Sequence, residues 1–153
     1  FLNSYEIASI DFHLSFEQVY GKVEGDSASV AEVIAMISAL SKIPVNQNIA
    51  VTGSINQFGD VQPIGGVNDK IEGFFNVCNS IDTYKGKGVL IPESNLDEVI
   101  LNPNVEEAIN NGDFVIYTME NISDAIMVLL GDNETSFEDI AASIDREIKK
   151  YKN

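Results

Sequence analysis

The chain is poor in histidine, cysteine and long apolar runs, and each shortage excludes a class of site or protein. His13 is the only histidine, so a His-rich zinc site is excluded. Cys78 is the only cysteine, so no internal disulfide can form, which agrees with a reducing compartment. No apolar run in the sequence is long enough to cross a bilayer.

Basic side chains are also scarce, with 9 Lys and Arg against 24 Asp and Glu and a net charge of −15. Four of them, Arg146, Lys149, Lys150 and Lys152, lie in the last eight residues. Such an acidic surface repels phosphate backbones, so we expect no nucleic-acid partner. Each lysine in the body of the chain therefore raises the question of its role.

The remaining composition is that of a globular domain, with 153 residues, 44% hydrophobic and 22% charged. The chain begins at Phe1 and no signal-peptide pattern opens it. We expect it to be an excised domain of a longer protein.

The hydrophobic pattern predicts alternating strands and helices, which favours crossover connections and some parallel pairing. Asp26 is the expected N-cap of the first long helix, and Ser136 opens a capping box before the last one. We expect an α/β (or α+β) fold, a mixed sheet with a hairpin and packed helices. The predicted strands are 5–13, 48–55, 60–64, 89–91 and 114–117, and the predicted helices are 27–41, a helix from residue 67, 95–101, 105–110, 121–130 and 136–152.

Several nucleotide, metal and hydrolase motifs are absent. The sequence has no Gly-x-x-x-x-Gly-Lys-Ser/Thr P-loop, no Gly-x-Gly-x-x-Gly after a strand and no calcium-binding loop. The segment from Gly25 to Ser29 lacks the last glycine of Gly-x-Ser-x-Gly. A Ser-His-Asp triad would have to use His13.

Ser27 opens a mostly apolar helix within a cluster of small residues. Free backbone N–H groups at a helix start point outward and can stabilise an oxyanion. The backbone N–H groups near Ser27 and Ala28 are our candidates for that role. Serine is also common at helix starts, where it only caps.

Lys70 falls inside the apolar stripe of the helix that starts at Val67, between Val67 and Phe74. The opposite face carries Asn68, Asp69, Glu72 and Gly73, which we expect to face solvent. An inward lysine can snorkel to water. Alternatively it can act as a base for Ser27, because an apolar environment disfavours the ammonium form of lysine. Thr52, on the preceding strand, could orient the amine by a hydrogen bond.

These residues lie in blocks that resemble the proteolytic domain of Lon proteases over residues 5–131. The blocks agree in order and spacing, and they are Val23-Glu24-Gly25-Asp26-Ser27-Ala28-Ser29, Ile43-Pro44-Val45, Val51-Thr52-Gly53-Ser54, Pro63-Ile64-Gly65-Gly66-Val67 with Lys70, and Leu90-Ile91-Pro92. The family's catalytic serine and lysine fall on Ser27 and Lys70, and its threonine falls on Thr52.

The form of the serine block is similar to the archaeal or B-type branch, since the bacterial A-type has proline and glycine where Asp26 and Ser29 stand here. The resemblance implies contributions to the site from Glu24 and Asp26. As purely structural alternatives, Asp26 could cap the helix and Glu24 could be a solvated acid in a loop. Residues 1–131 would form the proteolytic domain and residues 132–153 a C-terminal amphipathic helix or tail.

The resemblance further implies an ATP-dependent serine endopeptidase that degrades unfolded or damaged proteins in protein quality control. Its own AAA+ ATPase domain and a homo-hexameric ring would be its partners. No cofactor is expected in this segment, while ATP and Mg are implied for the longer protein. A cytoplasmic location follows, with membrane attachment on the cytoplasmic side as an option. Two alternatives stay open: a proteolytically inactive Lon-like binding or assembly module, and a Ser-His hydrolase using His13.

Overall fold

The computed structural model of the protein describes residues 10–15, 25–132 and 134–151. The helices are α1 (Ser29–Ser41), α2 (Val67–Ile81), α3 (Pro103–Asn110), α4 (Ile122–Leu130) and α5 (Phe137–Lys150), with a 3-10 helix at Glu93–Glu98. The strands are β1 (Ile49–Val51), β2 (Ser54–Ile55), β3 (Val61–Gln62), β4 (Lys87–Pro92) and β5 (Phe114–Met119).

A parallel sheet of three strands, in the order β1-β4-β5, forms the centre of the fold. Successive residues of a strand point to opposite faces, and the packing follows that alternation. Leu90 of β4 and Met119 of β5 pack on one face, whereas Val89, Ile91 and Phe114 pack on the other. Each face is covered by helices, as parallel sheets require.

The helices therefore belong to two hydrophobic clusters, one on each face of the sheet. The first cluster joins α1, α4 and α5 through side chains such as Ile34, Ile126 and Ile144. The second joins α2 and α3 through side chains such as Ile71 and Val105. The expected α/β class is confirmed, with the parallel pairing and crossovers that the alternating pattern predicts.

A separate hairpin pairs β2 with β3 in antiparallel register, with Ser54 opposite Gln62. The predicted hairpin is therefore present, but the predicted strand 48–55 is divided. Its first part, β1, belongs to the parallel sheet, and its last part, β2, belongs to the hairpin. The division occurs because the N–H of Gly53 turns away from the sheet and donates to the carbonyl of Ser27.

Three other predicted elements differ from the structure. Residues 10–13 form no strand, and residues 11–15 are exposed; the rest of the predicted strand 5–13 lies outside the described residues. The predicted helix 95–101 is instead the 3-10 helix, which ends because Val99 adopts an extended backbone. The first helix begins at Ser29 rather than residue 27, for a reason that concerns the site below.

None of the helices in the described parts of the chain combines the length and the apolar character needed to cross a bilayer.

α5 begins with the capping box that the sequence predicts. The Ser136 hydroxyl accepts from the N–H of Asp139, and the Asp139 carboxylate accepts from the N–H and hydroxyl of Ser136. The Ser136 N–H, and next its hydroxyl, hold the pKa of the Asp139 carboxyl below its usual value. The capping box therefore stabilises the fold while this carboxyl is ionised.

Ser136→Ala is expected to lower the thermal unfolding midpoint at neutral pH because α5 loses its cap. A lowered pKa contributes stability that is present above the unfolded-state value of about 3.9 and is lost as pH falls through the folded-state value. The difference from wild type should therefore be full at pH 7 and shrink below about pH 4. Ser143→Ala, within the same helix, is the control, and an equal loss from both variants would contradict the prediction.

Candidate active site

Lys70, Ser27 and Thr52 meet through their side chains. Lys70 Nζ donates to Ser27 Oγ at 3.0 Å and lies 3.4 Å from Thr52 Oγ1. Ser27 and Lys70 are 43 residues apart in the chain, so the fold and not local sequence brings them together. No described carboxylate forms an ion pair with Lys70, whose recorded partners in the described chain are these two hydroxyls.

Ser27 is held by its main-chain carbonyl, which accepts from the N–H of Gly53 at 2.9 Å and from the hydroxyl of Thr52 at 3.3 Å. Thr52 follows β1 directly, and its own N–H donates to the carbonyl of Leu90 in β4. The end of β1 is thus tied to the central strand on one side and to Ser27 on the other. The carboxyl ends of parallel strands are where open α/β sheets bind ligands.

The same hydrogen bonds explain why α1 starts late. The carbonyl of Ser27 is committed to Gly53 and Thr52, and the helix begins with the bond from the N–H of Glu32 to the carbonyl of Ala28. Ser27 consequently lies two residues before α1, in a turn, with Ala28 as the N-cap residue. The prediction that Ser27 occupies the first helical turn is wrong by this margin.

Lys70 lies in the first turn of α2. Gly66 precedes the helix with φ of 68°, a left-handed conformation that favours glycine. The N–H of Lys70 donates to the carbonyl of Gly66 at 3.2 Å. Val67 and Ile71, on either side of Lys70 in the apolar stripe, are buried, whereas Lys70 itself is half-buried. The lysine stem therefore packs while its amine reaches the hydroxyls of Ser27 and Thr52.

A cleft of about 450 Å³ surrounds the three side chains. It lies between α1, β1 and α2, and its walls are mostly small or apolar, with Ala28, Ala31, Gly73 and Phe74 among them. A mostly apolar cleft with a few converging polar side chains is typical of a binding or active site.

The backbone N–H groups of Ser27 and Ala28 have no hydrogen-bond acceptor among the described residues. In contrast, the N–H of Ser29 donates to the carbonyl of Asp26, and that of Val30 donates to the carbonyl of Gly53. Two unpaired donors at the start of a helix, beside a serine hydroxyl, can receive a developing negative charge.

Asp26 is not the N-cap of α1, because no side chain caps this helix. Its carboxylate accepts instead from the hydroxyl of Ser54 at 2.6 Å, and Ser54 is 6% exposed. This short, charge-assisted bond directs the Asp26 side chain toward the hairpin. Glu24, the other acid of the predicted site, lies outside the described residues.

His13 is exposed, and the structure records no hydrogen bond between it and Ser27 in the described chain. The hydroxyl of Ser27 is in contact with Lys70 instead. Nothing in the described arrangement brings a histidine to the cleft.

Sequence reasoning missed three residues that shape the site: Gly53, Ser29 and Ser54. The hydroxyl of Ser29 accepts from the N–H of Ile55 at 3.0 Å and so fastens the hairpin to the start of α1. A Cβ atom on Gly53 would lie 2.6 Å from Met119 Cε and 3.0 Å from Val30 Cγ2. Their only sequence signal was their place in the serine and threonine blocks.

A family model described as the Lon protease (S16) C-terminal proteolytic domain matches residues 3–132. A Lon protease homologue of Escherichia coli (strain K12) is 48% identical over 76% of this chain, which is 20% of that relative. The archaeal Lon protease of Pyrococcus abyssi is 39% identical over 87% of this chain and 12% of its own length. The archaeal Lon protease of Thermococcus kodakarensis is 39% identical over 83% of this chain and 18% of its own length. The chain thus spans about a fifth or less of these relatives.

Gly53→Ala is expected to lower the free energy of unfolding by about 1–3 kcal/mol, because the new methyl group overpacks the junction of α1 and β5. Met119 is 1% exposed and has little space into which its methyl group could move. Urea unfolding measures the effect.

Gly73→Ala is the matched control. No atom lies within 4 Å of a Cβ at this exposed helical position, so helix propensity should raise stability. Equal stability of the Gly53→Ala variant and wild type would show that the close approach imposes no constraint.

Proposed function

The chain belongs to the family of Lon protease proteolytic domains, and we propose on that premise that it is a serine endopeptidase domain with Ser27 as nucleophile and Lys70 as base. The observation that carries the proposal is the 3.0 Å separation of Lys70 Nζ from Ser27 Oγ. That separation is within the reach needed for proton transfer between a nucleophile and its base. The cleft around the two side chains has mostly small or apolar walls, which leaves room for a substrate chain beside them.

In the proposed reaction, neutral Lys70 accepts the proton of the Ser27 hydroxyl while Ser27 Oγ attacks the scissile carbonyl. The N–H groups of Ser27 and Ala28 donate to the resulting oxyanion. The C–N bond breaks as the Lys70 ammonium returns its proton to the leaving amine, which leaves an ester on Ser27. Lys70 then accepts a proton from water while the water oxygen attacks the ester carbonyl. The bond from the acyl carbon to Ser27 Oγ breaks as the Lys70 ammonium returns that proton to Oγ, which releases the acid and restores Ser27 and neutral Lys70.

Thr52 is the proposed positioning residue for the base. Its hydroxyl donates to the carbonyl of Ser27, so its oxygen lone pairs remain available to the Lys70 amine. Asp26 and Glu24 are proposed as supporting acids, as the resemblance to B-type enzymes implies. The bond from Ser54 to Asp26 supports a role in which Asp26 braces the turn around Ser27.

The wider activity is a proposal for the whole protein. We propose ATP-dependent degradation of unfolded or damaged proteins in the cytoplasm by a homo-hexamer carrying an AAA+ ATPase domain. ATP and Mg are proposed as cofactors of the ATPase domain of that longer protein. The proposal is supported if withholding ATP abolishes the degradation of proteins but leaves the cleavage of short peptides unchanged.

Ser27→Ala and Lys70→Ala are each expected to reduce peptide cleavage by at least about 100-fold, because nucleophile and base are removed in turn. The measurement is cleavage of a fluorogenic peptide and of an unfolded protein by the full-length protein with ATP. Lys85→Ala is the matched control, since Lys85 is exposed and pairs with Asp113 away from the cleft.

Each other outcome identifies a different error. Wild-type rates in Lys70→Ala would refute the pair of Ser27 and Lys70. A loss confined to His13→Ala would favour the Ser-His hydrolase. No cleavage by the wild-type full-length protein with ATP would favour the binding or assembly module.

Thr52→Val is expected to lower kcat by about 10-fold or more, because the Lys70 amine loses one of its two oxygen partners. Stability should change by about 1 kcal/mol or less, since the carbonyl of Ser27 keeps its bond from Gly53. Steady-state kinetics and urea unfolding measure the two effects. The control is Thr118→Val, the same substitution in β5, and equal kinetic losses from both variants would contradict the role of Thr52.

A further inference from the structure

The side chain of Asn95, in the 3-10 helix after β4, is the most deeply buried amide in the described chain, being 1% exposed. Its Oδ1 accepts from the N–H of Ile64 at 2.9 Å, and its Nδ2 donates to the carbonyl of Ile64 at 2.9 Å. Nδ2 also donates to the carboxylate of Glu98 at 3.1 Å. The amide thus pairs with Ile64 as a neighbouring strand would.

Ile64 needs such a partner because it lies between β3 and α2, where no strand or helix satisfies its main-chain groups. Gly65 and Gly66 follow at once, and α2 begins at Val67. Two glycines allow many backbone conformations. The two hydrogen bonds between Asn95 and Ile64 are therefore the last anchor of the backbone before α2, the helix that carries Lys70.

Two further side chains fasten α2 to the same segment, residues 93–102. Asn68 Nδ2 donates to the carbonyl of Glu98 at 3.1 Å, and Asn68 Oδ1 accepts from the N–H of Ile100 at 3.0 Å. Glu72 Oε1 accepts from the N–H of Asn102 at 2.7 Å. Asn68 and Glu72 stand two residues before and two after Lys70. The expectation that these two residues face solvent is wrong, because both bond to main-chain groups of this segment and are half-buried.

Hydrophobic packing of Val67 and Ile71 holds α2 against the sheet but is non-directional and leaves sliding and rotation to other contacts. Hydrogen bonds are directional and fix both motions. A shift of about 1 Å can cost a factor of about 100 in rate at a positioned catalytic group. The contact joins Lys70 of α2 to Ser27 in the turn before α1, so it depends on the placement of α2.

We propose that Asn95 is a positioning residue for Lys70: with Asn68, it fixes the first turn of α2 against residues 93–102 and so sets the distance from Lys70 Nζ to Ser27 Oγ. This inference rests on the proposed function of Lys70 as the base. Asn95 does not touch the cleft, and it acts through Ile64 and the helix start.

The test compares Asn95→Leu, which keeps the approximate volume and removes the three hydrogen bonds, with Asn68→Ala, which loosens α2 at a more exposed place. Both are made in the full-length protein. The expected result is a kcat at least about 10-fold lower per folded molecule with KM within about twofold of wild type. The rate at which a fluorophosphonate labels Ser27 should fall in parallel, since it depends on the base and not on substrate binding.

Asn121→Ala is the matched control, because the Asn121 side chain likewise makes two hydrogen bonds to main-chain groups. It accepts from the N–H groups of Ser123 and Asp124 and caps α4, away from Lys70. The substitution should lower stability with normal kcat and labelling. The folded fraction of each variant is measured by circular dichroism and urea unfolding.

Normal kcat and labelling in folded Asn95→Leu would overturn the inference and leave Asn95 a purely structural residue. Should Asn95→Leu fail to fold, normal labelling in Asn68→Ala would overturn it equally. Full activity in Ser27→Ala or Lys70→Ala would instead refute the proposed function itself, so the two failures are distinguishable.

Discussion

The carbonyl of Ser27 is the point on which the site depends. It accepts from the N–H of Gly53 and from the hydroxyl of Thr52, and these two bonds tie the turn before α1 to the end of β1. They also delay the start of α1, which leaves the N–H groups of Ser27 and Ala28 without described acceptors. One carbonyl thus places Ser27, frees the donors beside it and orients the threonine that contacts Lys70.

The site is built from hydroxyl groups and main-chain groups, with few charges. Lys70 meets two hydroxyls, and the carboxylate of Asp26 is bound to Ser54. Although the chain has a net charge of −15, no carboxylate of the described residues pairs with this lysine. A carboxylate within ion-pairing distance would favour the ammonium form and oppose the action of lysine as a base.

Much of the fold could be predicted because its signals are local. The helix that starts at Val67, the hairpin and the capping box at Ser136 all follow from periodicity, glycines and cap residues within a few positions. Ser27 and Lys70 could be named as candidates from their places at a helix start and in an apolar stripe, and the resemblance to Lon proteases implies the same two residues together with Thr52.

The remainder could not be predicted because it depends on partners far away in the chain. Asp26 has the local features of a helix cap, yet its carboxylate accepts a hydrogen bond from the hydroxyl of Ser54, 28 residues later. The position of Asn68 in its helix predicts a solvent-facing side chain, yet this side chain bonds to the carbonyl of Glu98, 30 residues on. A polar side chain has no periodicity that reveals whether its partner is water or a distant main chain.

The two hydrophobic clusters give the site an additional property. Ser27 adjoins α1, which packs with α4 and α5, whereas Lys70 belongs to α2, which packs with α3 on the other face of the sheet. Native proteins open locally in cooperative units that often coincide with such packed groups. Opening of either unit would separate Ser27 from Lys70 while the other unit persists. We therefore expect the proposed activity to be lost on warming before the secondary structure is lost. The site is more sensitive to the relative position of the two packed groups of helices than to the unfolding of either group.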